Sequence, residues 1–236
     1  MQLKSHLKKY TPKFIHHIYN RSISKWLIQR RLGKWFDIEW KNRAASLSTQ
    51  EWRDVYDESW RNWDDPDLAP SDIQKIKDLL IPGGSVVDIG CGDGFLLEKL
   101  AATAGDMYGV DISNVALLKA RDRLGDKSRY IQAFMEHLPL GNDSFDTVVT
   151  THTLEHILDL KAGITELKRI ASKRLIILVP VQEYLTYTED YHLQFFPDQQ
   201  ALTASLGMEE ANCITYSNPA GDHKYNGEIL LLWADM

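Results

Sequence analysis

VVDIGCGDG, residues 86–94, is the stretch of this sequence that decides the fold. Its first residues predict a buried strand that ends near Asp88, and the chain then turns through three glycines into a helix beginning near Phe95. Glycines let a backbone approach a ligand where a Cβ atom would clash, and the first amides of the helix face the same place. The unit therefore predicts a site for a nucleoside-like ligand.

The spacing and charge of this loop distinguish between the cofactors that such a unit can hold. The glycines follow G-x-G-x-G, not the G-x-G-x-x-G of dinucleotide sites, and no Lys-Ser/Thr pair ends the loop as in phosphate loops. Asp88 and Asp93 flank the glycines, and no Lys or Arg lies between Ser85 and Leu97. Two carboxylates would repel a pyrophosphate and attract the sulfonium and ammonium of S-adenosylmethionine. The charges favour S-adenosylmethionine over NAD.

A further acidic residue ends the next strand. Residues 107–111, MYGVD, predict a strand with Asp111 at its tip. An acid at that place can accept both hydroxyls of a ribose. The alternative is that Asp111 caps the helix beginning near Ser113, but its spacing from the glycine loop favours the ribose.

At these residues the chain resembles the class I S-adenosylmethionine-dependent methyltransferases, in particular their small-molecule subgroup. The resemblance covers roughly residues 70–236 and implies an α/β fold: a doubly wound, seven-stranded, mostly parallel Rossmann-like sheet with an antiparallel last strand, here with an N-terminal helical extension. Its motifs are VVDIGCGDG (86–94), GVDIS (109–113), EHLPL (136–140), SFDTVVTTHTLEHI (144–157) and LKRIASKRLIILVP (167–180).

The resemblance also implies a set of cofactor contacts. Asp88 would lie near the methionine part and Asp111 would hold the ribose. Phe134 departs from the family, because many members carry an acid there that accepts the adenine amino group. Either the Phe134 ring packs on the adenine, or backbone groups at residues 135 and 136 take over. The full set of expected contacts is Asp88, Gly90, Gly92, Gly94, Asp111, Ile112, Met135, Glu136 and Thr151.

Two histidines are the candidate catalytic residues. His152 follows the fourth strand and would face the transferred methyl group, and His192 lies in the connection after the fifth strand, which often covers the acceptor in this family. Methyl transfer is an in-line displacement, so alignment supplies much of the rate. A base is needed for a hydroxyl or a protonated amine, and histidine, with a pKa of about 6.5, suits that task.

Composition restricts the class of protein. The chain has 236 residues, 44% of them apolar, which suffices for one α/β domain with an appendage. Cys91 and Cys213 allow no disulfide framework, and no metal site is expected. No spanning apolar run or secretory leader is evident. These features predict a cytoplasmic protein.

The first 65 residues are expected to form a separate basic, tryptophan-rich helical arm, followed by the methyltransferase domain over 66–236. Residues 1–36 contain nine Lys or Arg and no Asp or Glu, although the net charge of the chain is −6. An amphipathic helix is predicted between Pro12 and Gly33. A second helix would carry an aromatic face of Trp52, Tyr56, Trp60 and Trp63, ending before Pro66.

Three roles remain open for the basic helix. It could pack on the catalytic domain as a lid, lie on an anionic membrane, or contact nucleic acid. Nucleic-acid binding is the weakest alternative, because the net charge of the chain is negative and no base-reading module follows the helix. The membrane role would place the protein peripherally at the inner membrane surface through residues 1–34. The aromatic face of the second helix is interpreted as core between arm and body.

Strand and helix patterns alternate after the arm, as expected for a parallel sheet covered on both faces. A helix capped by Ser71 with Gln74 as its capping-box partner is predicted to precede them. Strands are predicted at 85–89, 106–110, 129–132, 145–150, 174–179, 211–217 and 228–234, and helices beginning near 94, 113 and 160 and spanning 198–206.

The sequence thus predicts a methyltransferase that acts on a small molecule, most simply at oxygen, with a lipid-linked or glycan precursor or a quinone precursor as acceptor. One alternative is a non-catalytic cofactor- or partner-binding protein on the same fold, and another is an NAD-dependent oxidoreductase. Protein or RNA methylation stays open, but the Asn/Asp-Pro-Pro-Tyr signature of many amino-group methylators is replaced after the fourth strand by Thr150-Thr151-His152-Thr153.

Overall fold

A computed structural model describes residues 24–32, 36–62, 68–188, 190–217 and 227–236. Its α-helices are α1 (Ser24–Leu32), α2 (Trp40–Arg43), α3 (Thr49–Asn62), α4 (Pro70–Leu79), α5 (Phe95–Leu100), α6 (Asn114–Leu124), α7 (Leu160–Ile170) and α8 (Gln199–Leu206). Most of the basic helix predicted between Pro12 and Gly33 lies outside the described residues, as do Trp63 and Pro66. None of the helices in the described ranges combines the length and apolar character needed to cross a bilayer.

Seven strands form one sheet in the order β3-β2-β1-β4-β5-β7-β6. The first five strands are parallel, and β7 runs antiparallel to both β5 and β6. The doubly wound, mostly parallel sheet expected from the sequence is confirmed. The strands are β1 (Val86–Ile89), β2 (Met107–Asp111), β3 (Arg129–Gln132), β4 (Phe145–Thr151), β5 (Ala171–Pro180), β6 (Asn212–Ser217) and β7 (Glu228–Asp235).

The core lies on both faces of the sheet because successive side chains of a strand point in opposite directions. In β1, Val87 and Ile89 belong to one apolar cluster and Val86 to the other. In β5, Leu175 and Ile176 divide in the same way. Strands buried on both faces read as continuous apolar runs, which is why these segments lack a polar alternation.

The helix that precedes β1 begins two residues earlier than predicted. Pro70 occupies its first turn, where the fixed φ of proline suits a helix and the missing N–H costs nothing. Ala69 is the N-cap residue, and the Asp72 carboxylate accepts its backbone N–H at 2.9 Å. The prediction that Ser71 and Gln74 cap this helix is therefore wrong.

The described residues fall into two compact units. One holds α1 and α2 with the described part of 184–192, and the other holds α3, the sheet and the remaining helices. The division at residue 65 into an arm and a methyltransferase domain stays a prediction.

Within the smaller unit, α2 holds the connection that follows β5. Trp40 donates from Nε1 to the Tyr191 carbonyl at 3.1 Å, and Phe36 stacks on the Tyr191 ring at 4.7 Å between centroids. Lys41 donates to the Leu185 carbonyl, and burial lowers the pKa of Lys41 to about 8 against the opposing effect of Asp190.

Candidate functional site

The glycine loop after β1 has the conformation that its sequence requires. Gly90, Gly92 and Gly94 have φ of 80°, 52° and 77°, in the left-handed region that residues with a Cβ rarely adopt. Packing excludes side chains too: a Cβ on Gly90 would overlap Thr153, and one on Gly92 would lie 2.5 Å from the Trp60 ring. The loop therefore needs glycine both for its dihedral angles and for the close approach of its neighbours.

Asp88, at the tip of β1, is a buried carboxylic acid. It is 1% exposed, and its Oδ1 has no hydrogen-bond partner among the residues that the structure describes. Burial, together with the nearby Asp111, raises the pKa of Asp88 to about 8. A cationic ligand group beside Asp88 would satisfy Oδ1 and favour the ionised carboxylate.

Asp111, at the tip of β2, bridges the loop and the next helix. Its Oδ2 accepts the Gly92 N–H at 2.9 Å and its Oδ1 accepts the Ser113 N–H at 2.8 Å. Burial raises the pKa of Asp111 to about 6, while these two hydrogen bonds oppose the rise. Because a carboxylate oxygen can accept two hydrogen bonds, each oxygen of Asp111 can still accept one from a ligand hydroxyl.

The residues after β3 lie beside Asp111. The Ala133 N–H donates to the Asp111 carbonyl at 3.0 Å, and the Gln132 side chain donates to the Ile112 carbonyl at 2.9 Å. Met135 is buried at 5% exposure. The residues near the ribose-binding candidate Asp111 thus include Ile112, Phe134, Met135 and Glu136. Their contacts with a ligand stay predictions.

The tip of β4 carries His152 in an unusual conformation. Its φ is +50°, a value that costs a non-glycine residue about 1–3 kcal/mol and that persists when surrounding contacts impose it. The His152 N–H donates to the Leu178 carbonyl at 2.9 Å, which fixes the turn. Thr151, just before it, is buried at 8% exposure.

A buried glutamate accompanies this histidine. Nδ1 of His152 lies 3.4 Å from Oε1 of Glu155, which is 1% exposed and belongs to the 3₁₀ turn Leu154–His156. Sequence reasoning missed Glu155 as a functional candidate. The i to i+3 spacing of a histidine and an acid just after β4 is the signal that could have identified it.

His192, the other catalytic candidate, belongs to the smaller unit. Its side chain is 2% exposed, and its Nδ1 lies 3.4 Å from Oδ1 of Asp190. A catalytic role for His192 stays a prediction.

Helix α3, whose aromatic face was predicted to be core between arm and body, also makes polar contacts. Oδ1 of Asp57 accepts from the Ser113 hydroxyl at 2.6 Å and from the Val115 N–H at 3.1 Å. Lys119 donates from Nζ to the Trp60 carbonyl at 2.7 Å. The helix is thus attached to the amino-terminal part of α6 and covers the glycine loop. The spacing of its aromatic residues predicts a helix with one buried face, but it does not predict which surface of the protein that face covers.

The preceding part of α3, which carries Trp52, Arg53 and Tyr56, reaches the residues after β3 and β4. The Trp52 ring meets Phe134 edge-on at 6.5 Å between centroids, and Cζ of Arg53 lies 5.9 Å from the Phe134 ring centroid. Tyr56 meets the His156 ring edge-on at 6.1 Å.

Comparison with known proteins finds similarity to methyltransferases over the central part of the chain. Residues 87–178 match a family model described as a methyltransferase domain. An uncharacterized methyltransferase of Geobacillus is 31% identical over 48% of this chain and 55% of its own length. The ubiquinone/menaquinone biosynthesis C-methyltransferase UbiE of Vibrio parahaemolyticus is 31% identical over 52% of this chain and 53% of its own length.

Other similar proteins cover different shares of the chain. A ubiquinone biosynthesis O-methyltransferase of Azorhizobium caulinodans is 35% identical over 34% of this chain and 33% of its own length. One similar solved structure is the magnesium protoporphyrin IX methyltransferase of Synechocystis with bound S-adenosylhomocysteine. It has a TM-score of 0.59 at 19% identity, and the match covers 80% of this chain and 99% of that structure. This similarity concerns the fold. The chain spans about half the length of the first two curated relatives.

Proposed function

We propose that this chain, in which residues 87–178 match a methyltransferase domain, is a class I S-adenosylmethionine-dependent methyltransferase. We propose further that it methylates an oxygen atom of a small-molecule acceptor with His152 as the general base. S-adenosylmethionine, the cofactor of the family, supplies the methyl group on a sulfonium when bound. The acceptor that we infer is a quinone-type precursor with an aromatic hydroxyl, ahead of a lipid-linked or glycan precursor.

The residues at the tips of β1 and β2 fit this cofactor. Oδ1 of Asp88, buried without a partner in the described structure, would accept from the ammonium of the methionine part. Asp111 would accept the ribose hydroxyls with the lone pairs that Gly92 and Ser113 leave free.

The observation that carries the proposal is the pairing of His152 with Glu155. A carboxylate beside Nδ1 favours the tautomer with its proton on that nitrogen, which leaves Nε2 as the base. When the acceptor oxygen attacks the methyl carbon, Nε2 would take the hydroxyl proton, and Glu155 would stabilise the imidazolium that forms. The contacts that hold His152 at positive φ keep the ring aligned for this step.

Two observations favour an aromatic acceptor. The Tyr56 ring meets His156, which follows Glu155 in the same 3₁₀ turn, and such ring surfaces suit a flat ligand. Two of the similar proteins named above act in quinone biosynthesis, one as a C-methyltransferase and one as an O-methyltransferase. The base would serve either chemistry, since both remove a proton from a phenolic ring.

The acceptor is tested by incubating the protein with labelled S-adenosylmethionine and, separately, prenylated catechols, prenylated quinols, a polyprenyl diphosphate-linked sugar and a peptide mixture. Mass spectrometry and NMR would distinguish a methyl ether from a C-methylated ring. We expect the methyl ether of the catechol. A C-methylated product, or methylation of the sugar or peptide alone, would contradict the proposal.

The base is tested with His152→Ala against the exposed His137→Ala as the matched control. We expect His152→Ala to lower kcat by about 10²–10⁴-fold with unchanged affinity for S-adenosylhomocysteine, and His137→Ala to lower neither. Equal rates for the two variants would remove His152 from the mechanism. His192→Ala, measured beside them, tests the second candidate base.

For the basic arm we propose a peripheral contact with an anionic membrane. In its described part, α1, Trp26 and Leu27 are 56% and 45% exposed, and Arg30 lies over the Trp26 ring at 5.1 Å. Exposed apolar residues among arginines are typical of helices at a lipid interface. Cosedimentation with vesicles that contain phosphatidylglycerol should decrease for Trp26→Ala/Leu27→Ala, and binding that stays the same would contradict this role.

A further inference from the structure

Helix α3 crosses the tips of three neighbouring strands with one side-chain stripe. Arg53, Asp57 and Trp60 stand at i, i+4 and i+7, which is one face of a helix. Trp60 covers Gly92 after β1, Asp57 binds Ser113 after β2, and Arg53 lies over Phe134 after β3. The strands lie in the order β3-β2-β1, and a helical turn of about 5.4 Å nearly matches the strand spacing of about 4.8 Å, so each turn meets one strand.

The cofactor must extend along the same three tips. Its cationic amino-acid end suits Asp88 at β1, and its ribose suits Asp111 at β2. The base therefore extends toward β3, where the backbone of Ala133 is joined to Asp111 by a hydrogen bond of 3.0 Å. Phe134 and the Arg53 turn of α3 border that place.

At the expected place of the cofactor's adenine base, α3 supplies a hydrogen-bond donor. Nε of Arg53 is buried and has no hydrogen-bond partner within the described part of the chain. The guanidinium carries N–H donors and no acceptor. In adenine the ring nitrogens accept hydrogen bonds, whereas the exocyclic amino group only donates, so Arg53 can pair with the ring nitrogens and not with the amino group.

We propose that Arg53 recognises the cofactor base through its ring acceptors, with Trp52 and Phe134 as apolar walls, so that the exocyclic amino group of adenine is not required for binding. Phe134 supplies no acceptor for that amino group. A 6-oxo base presents two acceptors, O6 and N7, to an arginine, which is a favourable bidentate arrangement. The inference rests on the cofactor and is independent of the acceptor proposed above.

The test is calorimetric binding of S-adenosyl-L-homocysteine and of its deaminated analogue, S-inosyl-L-homocysteine, to the unmodified protein. We expect the analogue to bind within about fivefold of the adenosyl compound, or more tightly. A preference for the adenosyl compound of more than about fivefold would overturn the proposal. This comparison needs no substitution, so it does not depend on how any variant folds.

Three variants then assign the effect. Arg53→Met should weaken binding of both compounds by about tenfold or more, because a charged hydrogen bond is lost, whereas Arg61→Gln, an exposed arginine on the same helix, should change neither. Phe134→Asp should introduce a preference for the adenosyl compound. Unchanged affinity in Arg53→Met, with an unchanged Tm, would overturn the proposal even if methyl transfer to the acceptor is normal.

Discussion

The contact between Gly92 and Trp60 allows a quantitative test of how α3 is attached to the glycine loop. In Gly92→Ala the new Cβ would lie 2.5 Å from Cζ2 and Cη2 of Trp60, although carbon atoms in contact are ordinarily about 3.5 Å or more apart. The indole, and with it the end of α3, would have to move by about 1 Å. Overpacking of this kind costs about 1–3 kcal/mol, and alanine in the left-handed region costs about 1–2 kcal/mol more.

We therefore expect Gly92→Ala to lower the free energy of unfolding by about 2–5 kcal/mol in urea denaturation. Gly207→Ala is the matched control, because Gly207 has φ 55° and ψ 48° and no atom lies within 4 Å of its Cβ position. It should cost only the backbone contribution of about 1–2 kcal/mol.

The double variant isolates the contact. Once Trp60 is alanine, Gly92→Ala should cost no more than Gly207→Ala, which gives a coupling energy of about 1–3 kcal/mol between the two positions. If the effects of Gly92→Ala and Trp60→Ala add without coupling, or if Gly92→Ala costs no more than Gly207→Ala in the unmodified protein, α3 does not rest on the loop as described.

Two further predictions concern Asp88 and Asp57. The pKa of Asp88 in the folded protein is about 8, above its usual 3.8, so between these pH values the folded state keeps a proton that the unfolded state releases. The free energy of unfolding should therefore fall as pH rises from 3.8 to about 8. Asp88→Asn should reduce this slope, and an identical slope would contradict the assignment. Asp57→Ala should lower the free energy of unfolding by about 0.5–2 kcal/mol, because it removes a hydrogen-bond acceptor at the start of α6. The control is Asp54→Ala, which should cost less because the Asp54 carboxylate accepts only from Gln50 among the contacts described on the surface. Equal costs would show that Asp57 does not act as a cap.

The local sequence pattern was sufficient to predict the sheet and the glycine loop. The glycines at 90, 92 and 94 reflect dihedral angles that only glycine adopts readily, and the apolar runs of β1 and β5 reflect burial on both faces. The pattern was weaker at the start of α4, because the polar Ser71 predicted an N-cap two residues after the true N-cap, and Pro70 begins the helix.

The surroundings of His152 could be predicted only in part. Its place after β4 follows from the sequence, but its positive φ depends on the hydrogen bond from its N–H to Leu178, a residue on another strand. Its pairing with Glu155 depends on the tight turn that this conformation begins. Neither contact is encoded in a periodic pattern, because both depend on how the chain folds back on itself.

By itself, the sequence determined the order of strands and helices, the glycine loop and the acids at the tips of β1 and β2, because spacing and side-chain type control local conformation and burial. Only the tertiary structure decided where the aromatic helix α3 packs. Its periodicity shows that one face is buried, but the surface it covers depends on pairs far apart in the chain, such as Asp57 with Ser113 and Trp60 with Gly92. Those contacts turn a segment that reads as plain core into the cover of the glycine loop, and complementarity of that kind arises when distant segments meet.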